Sequence, residues 1–199
     1  MKVVHWSCIV LASLLGSCAS TSPRFYTLVP ESGRDPSVAM APGYRLKVDA
    51  VSVPAQVDRL ELVTRLPDGG IAISDGDRWI APVADELQNA LSVELLRRLA
   101  GADVADATGS DSASVRLKVD RFESSPNRYA LIEASWHLDL RKAGKDVRIV
   151  CRSRAYEQVR GGYPEVVRGY QRAVALIAEQ IATAARQSAG GVAAECPVS

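Results

Sequence analysis

Histidine is almost missing from this chain: of 199 residues only His5 and His137 are histidines. His5 falls in an N-terminal segment read below as cleaved, so a Ser-His-Asp or Cys-His site has to be built around His137 alone. His137 falls on the polar face of an expected strand, where a surface or cross-strand histidine is the ordinary reading. No G-x-S-x-G elbow, P-loop or G-x-G-x-x-G occurs, and no histidine or cysteine cluster has the spacing of metal ligands. Asp75-Gly76-Asp77 lacks the remaining ligands of a calcium loop and reads as a turn. Net charge is missing too, with 24 Lys and Arg against 23 Asp and Glu, so nothing asks for nucleic acid. Beyond the N-terminal segment no apolar run is long enough to span a bilayer. The expectation is a protein that is not an enzyme and carries no cofactor and no metal.

What is present begins at the N-terminus. Lys2 precedes an apolar run from Ile9 to Leu15, too short for a permanent span of about 20 residues and suited to a cleaved signal peptide. Leu15-Gly16-Ser17-Cys18 resembles the bacterial lipobox, in which the cysteine becomes the lipidated first residue. Residues 1–17 are then leader, Cys18 carries the lipid, and residues 18–24 form a tether. Ordinary secretory cleavage near a cysteine is the alternative. One acyl chain binds a membrane only marginally, whereas the three of a bacterial lipoprotein hold it for practical purposes permanently. The lipobox resemblance, with Ala19 and Ser20 rather than aspartate after the cysteine, implies sorting to the outer membrane, on its periplasmic face.

Four cysteines occur in all. Cys8 leaves with the leader and Cys18 takes the lipid, so Cys151 and Cys196 remain. In an oxidising compartment these two are expected either to form a disulfide or to remain a buried thiol and a tail thiol. The tether reaches roughly 20 Å at 3.3–3.6 Å per residue, so the domain sits close to the membrane.

Along the mature chain, strand-like runs are expected at Phe25 to Val29, Leu46 to Val53, Leu60 to Leu66, Ile71 to Ser74 and Arg78 to Ala81, with Pro67-Asp68-Gly69-Gly70 as a hairpin turn. Val83, Leu87, Leu91, Leu95 and Leu99 recur every four residues. Acids in the first turn, Arg97 and Arg98 in the last, and Gly101 beyond agree on a helix. A short strand at Asp103 to Ala105 is expected next. Alternating runs from Val115, Ala130 and Val147 predict an antiparallel meander, and Pro164 opens a second helix through Val167, Tyr170, Val174, Ile177 and Ile181. The fold class is α+β: a largely antiparallel sheet with two long amphipathic helices packed on one face. Arg148, Arg152, Arg154 and Arg160, with Lys145, read as a solvated face or as a strip for lipid headgroups.

Three passages together resemble a known family. They are Phe25-Tyr26-Thr27-Leu28 soon after the lipidated cysteine; Val53-Pro54 with Val57-Asp58-Arg59 and Leu62-Val63-Thr64-Arg65; and Arg78-Trp79, Pro82 and the leucine-spaced helix. In this order they resemble the PqiC-like lipoproteins, the ABC-type transport auxiliary lipoprotein components. Leu60 stands where that family often has proline or a small residue. The resemblance implies a single domain over residues 25–199 that works as a non-enzymatic accessory of an envelope lipid transport system. Its partners would be an MCE-domain periplasmic protein, through it an inner-membrane ABC transporter, and outer-membrane lipids. A ring-like homo-oligomer would match a symmetric conduit. The resemblance implies Asp58 and Arg59 as a structural or docking pair and Trp79 as a core or interface anchor, and with Arg65 these make up the set that would dock a partner. The alternative is a stand-alone structural or assembly lipoprotein of the outer membrane.

Overall fold

Seven strands and two helices are set by these patterns in the computed structural model, which describes residues 22–31, 45–99, 111–142, 144–189 and 196. Cys18 and the strand expected at Asp103 to Ala105 lie outside the described residues. The first four strands are β1 (Arg24–Tyr26), β2 (Arg45–Val48), β3 (Glu61–Arg65) and β4 (Ile71–Trp79), followed by helix α1 (Val83–Leu99). Then come β5 (Ser112–Ser125), β6 (Tyr129–Lys142), β7 (Lys145–Gln158) and helix α2 (Tyr163–Ala189).

The α+β class is as expected, and β5, β6 and β7 form the antiparallel meander. The strands divide between two sheets, however: a larger one ordered β2-β5-β6-β7 and a smaller one ordered β1-β4-β3. Two pairings are parallel, β1 with β4 and β2 with β5, each joining strands far apart in sequence. Ile71 to Ser74 and Arg78 to Trp79, expected as two strands, make the single strand β4, whose register against β3 shifts opposite Asp75-Gly76.

On the larger sheet Val115, Leu138 and Ile149 share one row, and Leu117, Trp136 and Cys151 the next, all buried. A bulge between Val119 and Arg121 then changes the parity of β5, so that Phe122 and Ser124 turn inward in place of odd-numbered residues. This is why the alternation in sequence fades after Val119 while the strand continues to Ser125. The turn that follows holds Asn127 at φ 60°, a left-handed conformation that asparagine tolerates.

Helix α1 buries Leu87, Leu91, Leu95 and Leu99 as its spacing predicts, but Leu96 is exposed and Glu86 and Glu94 are buried. Both acids are paired. Glu86 accepts from the Leu28 amide at 2.7 Å and the Thr27 hydroxyl at 2.8 Å, which ties the segment after β1 to the helix, and Glu94 meets Arg97 and Arg98.

Helix α2 lies against β6, β7 and α1. At Gly169 the approach is closest, since a Cβ built there would stand 2.9 Å from Val159 Cγ2 and 3.0 Å from the Ala130 Cβ. Gly169→Ala is therefore expected to destabilise the fold by about 1–3 kcal/mol through overpacking, despite the better helix propensity of alanine. A urea midpoint equal to or above that of the wild type would contradict this.

Cys151 and Cys196 are joined as a disulfide, their Cα atoms 5.4 Å apart. The bridge fastens a residue beyond α2 to the middle of β7.

Candidate functional site

Period-two alternation on β3 turns Leu62 and Thr64 into the core and leaves Glu61, Val63 and Arg65 on the opposite face. Across the ladder Val63 is partnered by Ile73, Arg65 by Ile71 and Glu61 by Arg78, and Arg78 is in turn the partner of Phe25 on β1. The solvent face of the small sheet is thus a mixed surface of isoleucine, valine and phenylalanine interleaved with arginine. Ile71 and Ile73 are about half exposed, at 55% and 48%.

Between the β3–β4 hairpin and residues 120–124 of β5 lies a cleft of about 410 Å³. Val63, Ile71, Ile73 and Phe122 give it apolar walls, and Arg59, Arg65 and Arg121 stand among its polar lining. Glu123 joins its two sides: its carboxylate accepts from Arg65 at 2.8 Å and from Arg121 at 3.2 Å, and the Tyr129 hydroxyl also donates to it. The Arg65 hydrogen bond is the largest cause holding the Glu123 carboxyl below its ordinary range, against partial burial. An apolar wall with guanidinium groups near its mouth is suited to holding an amphipathic surface rather than to bond-making chemistry. Among the described residues no group of His, Cys, Asp and Glu is arranged to hold a metal ion.

The end of the small sheet nearest the N-terminus is pinned by a second carboxylate. Asp77, buried, takes an ion pair from Arg24 at 2.8 Å, a hydrogen bond from the Tyr26 hydroxyl at 2.8 Å and one from the Ser74 hydroxyl at 3.1 Å. Burial first, and Asp77 second, push the Tyr26 phenol above its usual value. Residues 24–26 are therefore built into the domain.

The sequence profile of ABC-type transport auxiliary lipoprotein components matches residues 26–182, a span that contains the hairpin, the cleft, α1 and most of α2. The chain belongs to that family. A crystal structure of an uncharacterized protein shares its fold at 23% identity and a TM-score of 0.58, covering 81% of this chain and 97% of that one. Protein XCC0632 of Xanthomonas campestris, assigned to DUF330, does so at 13% identity and a TM-score of 0.50, covering 86% and 96%. No curated protein matches the sequence. The resemblance to PqiC-like lipoproteins is thereby upheld, and the chain is an auxiliary lipoprotein component of a transport system. Among its described residues no helix is long and apolar enough to cross a membrane.

In this auxiliary lipoprotein the four residues expected to dock a partner have different surroundings. Trp79 is 2% exposed, edge-on to Phe122 and Tyr170 with ring centroids 6.2 and 6.1 Å away, so of its two readings, core or interface anchor, its surroundings fit core. Asp58 and Arg59 do not pair with each other. The Asp58 carboxylate accepts from the Ala84 amide at 3.1 Å and so caps the start of α1, while Arg59 meets Glu61 at 2.8 Å. Arg59 and Arg65 share the cleft, which leaves them as the docking candidates of the set.

Two members of the arginine strip, Arg148 and Arg154, are ion-paired. Arg148 and Arg116 both reach Asp139, and Arg154 and Arg121 both reach Glu133, making cross-strand ion pairs on the outer side of the larger sheet. His137 is half-buried there as the register partner of Arg116 and Val150.

Glu123 and Asp77 were not singled out by motif or spacing. Glu123 follows the bulge that hides its face, and Asp77 sits in a segment that reads as a turn.

The lowered Glu123 carboxyl sets a pH dependence. A carboxylate whose folded pKa lies below its unfolded one contributes stability above the unfolded value, near 4.3, and loses it as pH falls through the folded value. Glu123→Gln should therefore unfold at a lower temperature than the wild type at pH 7, with a smaller gap at an acidic pH below the unfolded value. A gap equal at both pH values would mean that the ion pairs contribute nothing.

Proposed function

We propose that this auxiliary lipoprotein is a non-catalytic accessory subunit of an MCE/ABC-type lipid transport system, with acylated Cys18 holding it to the periplasmic face of the outer membrane. In this reading residues 1–17 are leader, 18–24 tether, and residues 25–199 one domain that docks an MCE-domain protein and, through it, an inner-membrane ABC transporter. The partner ATPase supplies the energy. The observation carrying the reading is that the family match spans the cleft and most of the small sheet, whose first strand begins at Arg24 at the end of the proposed tether. The lipobox-like Leu15 to Cys18 and the apolar, arginine-bearing cleft support it further.

A photo-crosslinking residue in place of Arg59 or Arg65, at native expression, is expected to capture an MCE-domain protein. Capture of a different outer-membrane protein, or of none, overturns the proposed partner and favours a stand-alone structural lipoprotein. Neither arginine is buried, so the label itself does not disturb the core.

A further inference from the structure

We propose that the tether end of the small sheet, formed by Phe25, Leu60 and Ile80 and flanked by Arg24 and Arg78, rests on the phospholipid surface of the membrane that holds Cys18. This rests on the anchoring stated under Proposed function and adds a surface and an orientation to it.

The distribution of exposed apolar side chains is the first ground. Among the described residues eleven large hydrophobics are exposed, and six of them, Phe25, Leu60, Leu66, Ile71, Ile73 and Ile80, lie on the small sheet or its immediate flanks. The two most exposed of all are Ile80 at 67% and Phe25 at 59%. They are neighbours, because Phe25 is the register partner of Arg78 and the Ile80 amide donates to the Tyr26 carbonyl at 2.8 Å. The Leu60 carbonyl accepts from the Trp79 amide, which puts the exposed Leu60 at the same end of the sheet. Exposed phenylalanine and isoleucine grouped in this way are unusual on a surface that meets only water.

Covalent reach is the second. Six peptide steps separate Cys18 from Arg24, which at 3.3–3.6 Å each is at most about 20 Å, less than the diameter of a domain of this size. The tether enters at the Phe25 end, and that end is fixed by the pairing of Arg24 and Tyr26 with β4 and with Asp77. Whatever surface surrounds the entry point is the one that lies nearest to the bilayer.

Charge is the third. The guanidinium groups of Arg24 and Arg78 remain 64% and 37% exposed, and Arg78 stands 3.9 Å from a Glu61 carboxylate that Arg59 already pairs at 2.8 Å. Apolar side chains that enter the acyl boundary, ringed by arginines at phosphate level, are the chemistry of an interfacial contact. A face built for another protein would not need to sit at the exit of so short a tether.

The test uses the full-length acylated protein in vesicles of phosphatidylethanolamine and phosphatidylglycerol, with a photo-crosslinking residue at position 25, 80 or, as control, 150. Val150 is 53% exposed on the outer side of the larger sheet. Positions 25 and 80 are expected to give phospholipid adducts at least about fivefold above position 150. Equal labelling at all three overturns the proposal, as does an adduct to a second copy of the chain, or to another protein when the same labels are used in cells. Intact mass separates the two levels of inference. An acylated protein with no lipid adduct at 25 or 80 sinks this surface and leaves the anchoring intact, whereas a Cys18 without acyl chains removes the anchoring and the surface together.

Discussion

Trp79→Ala is expected to lower the free energy of unfolding by about 3–5 kcal/mol, the range for deleting a large buried aromatic. Trp79 is nearly solvent-free where the small sheet closes over the larger one, edge-on to both Phe122 and Tyr170. Those two rings stack on each other with centroids 3.9 Å apart and an interplanar angle of 5°. They come from β5 and α2, so one cluster joins the small sheet, the larger sheet and the second helix. Removing the indole leaves a cavity bordered by three elements, none of which can move in without breaking its own ladder or helix. Chemical denaturation at neutral pH measures the loss. A decrease below about 1 kcal/mol would mean that the cluster repacks and that Trp79 is not the core aromatic described above. Trp79→Phe, which keeps an edge-on ring, should recover a substantial part of the stability.

Loss of the Cys151 to Cys196 bridge should have a comparable effect. The sequence separation is 45 residues. In the chain-entropy model, closing a loop of that length removes about 4 kcal/mol of freedom from the unfolded chain. The Cα separation of 5.4 Å is within the range that a disulfide accommodates. Cys196→Ser is therefore expected to shift the urea midpoint down by nearly the amount that reductant shifts the wild type, and reductant should then have no further effect on the variant. Cys151→Ser should cost more than Cys196→Ser, because Cys151 is 3% exposed beside Trp136 in the core and would leave a hydroxyl there, whereas Cys196 is exposed. A reductant-insensitive wild type would refute the stabilising role of the bridge.

Much of the architecture was legible because it rests on local repetition. The four-residue spacing from Val83 to Leu99 and the three-four spacing of α2 each specify a helix with one apolar side, and the alternation in β5, β6 and β7 specifies strands covered on one side. Legibility failed wherever a polar residue is buried with a partner distant in sequence. Glu86 reads as a solvent-facing acid at a helix N-terminus and in fact accepts from the Thr27 hydroxyl and the Leu28 amide. Trp79 reads equally well as an interface anchor or as core, since both environments favour the same side chain, and only its contacts with Phe122 and Tyr170 decide between them.

The candidate site was half visible. Arg59 and Arg65 could be picked out by the family likeness, but Glu123, which bridges Arg65 to Arg121 across the cleft, is 58 residues from Arg65 and lies beyond a bulge. A bulge adds one residue without any mark in composition, and with it the side chains that face the cleft change parity.

By itself the sequence determined the helices, the meander, the family and the expectation of a short N-terminal tether, because each depends on neighbours within a few residues or on a contiguous motif. Tertiary structure decided that the strands split into two sheets, that β1 and β2 pair in parallel with strands far downstream, and that six of the exposed apolar side chains gather on the small sheet and its flanks. Parallel pairing has no local turn to announce it, and a surface patch is assembled from residues as distant as Phe25 and Ile80 that share a side only once the ladder is formed.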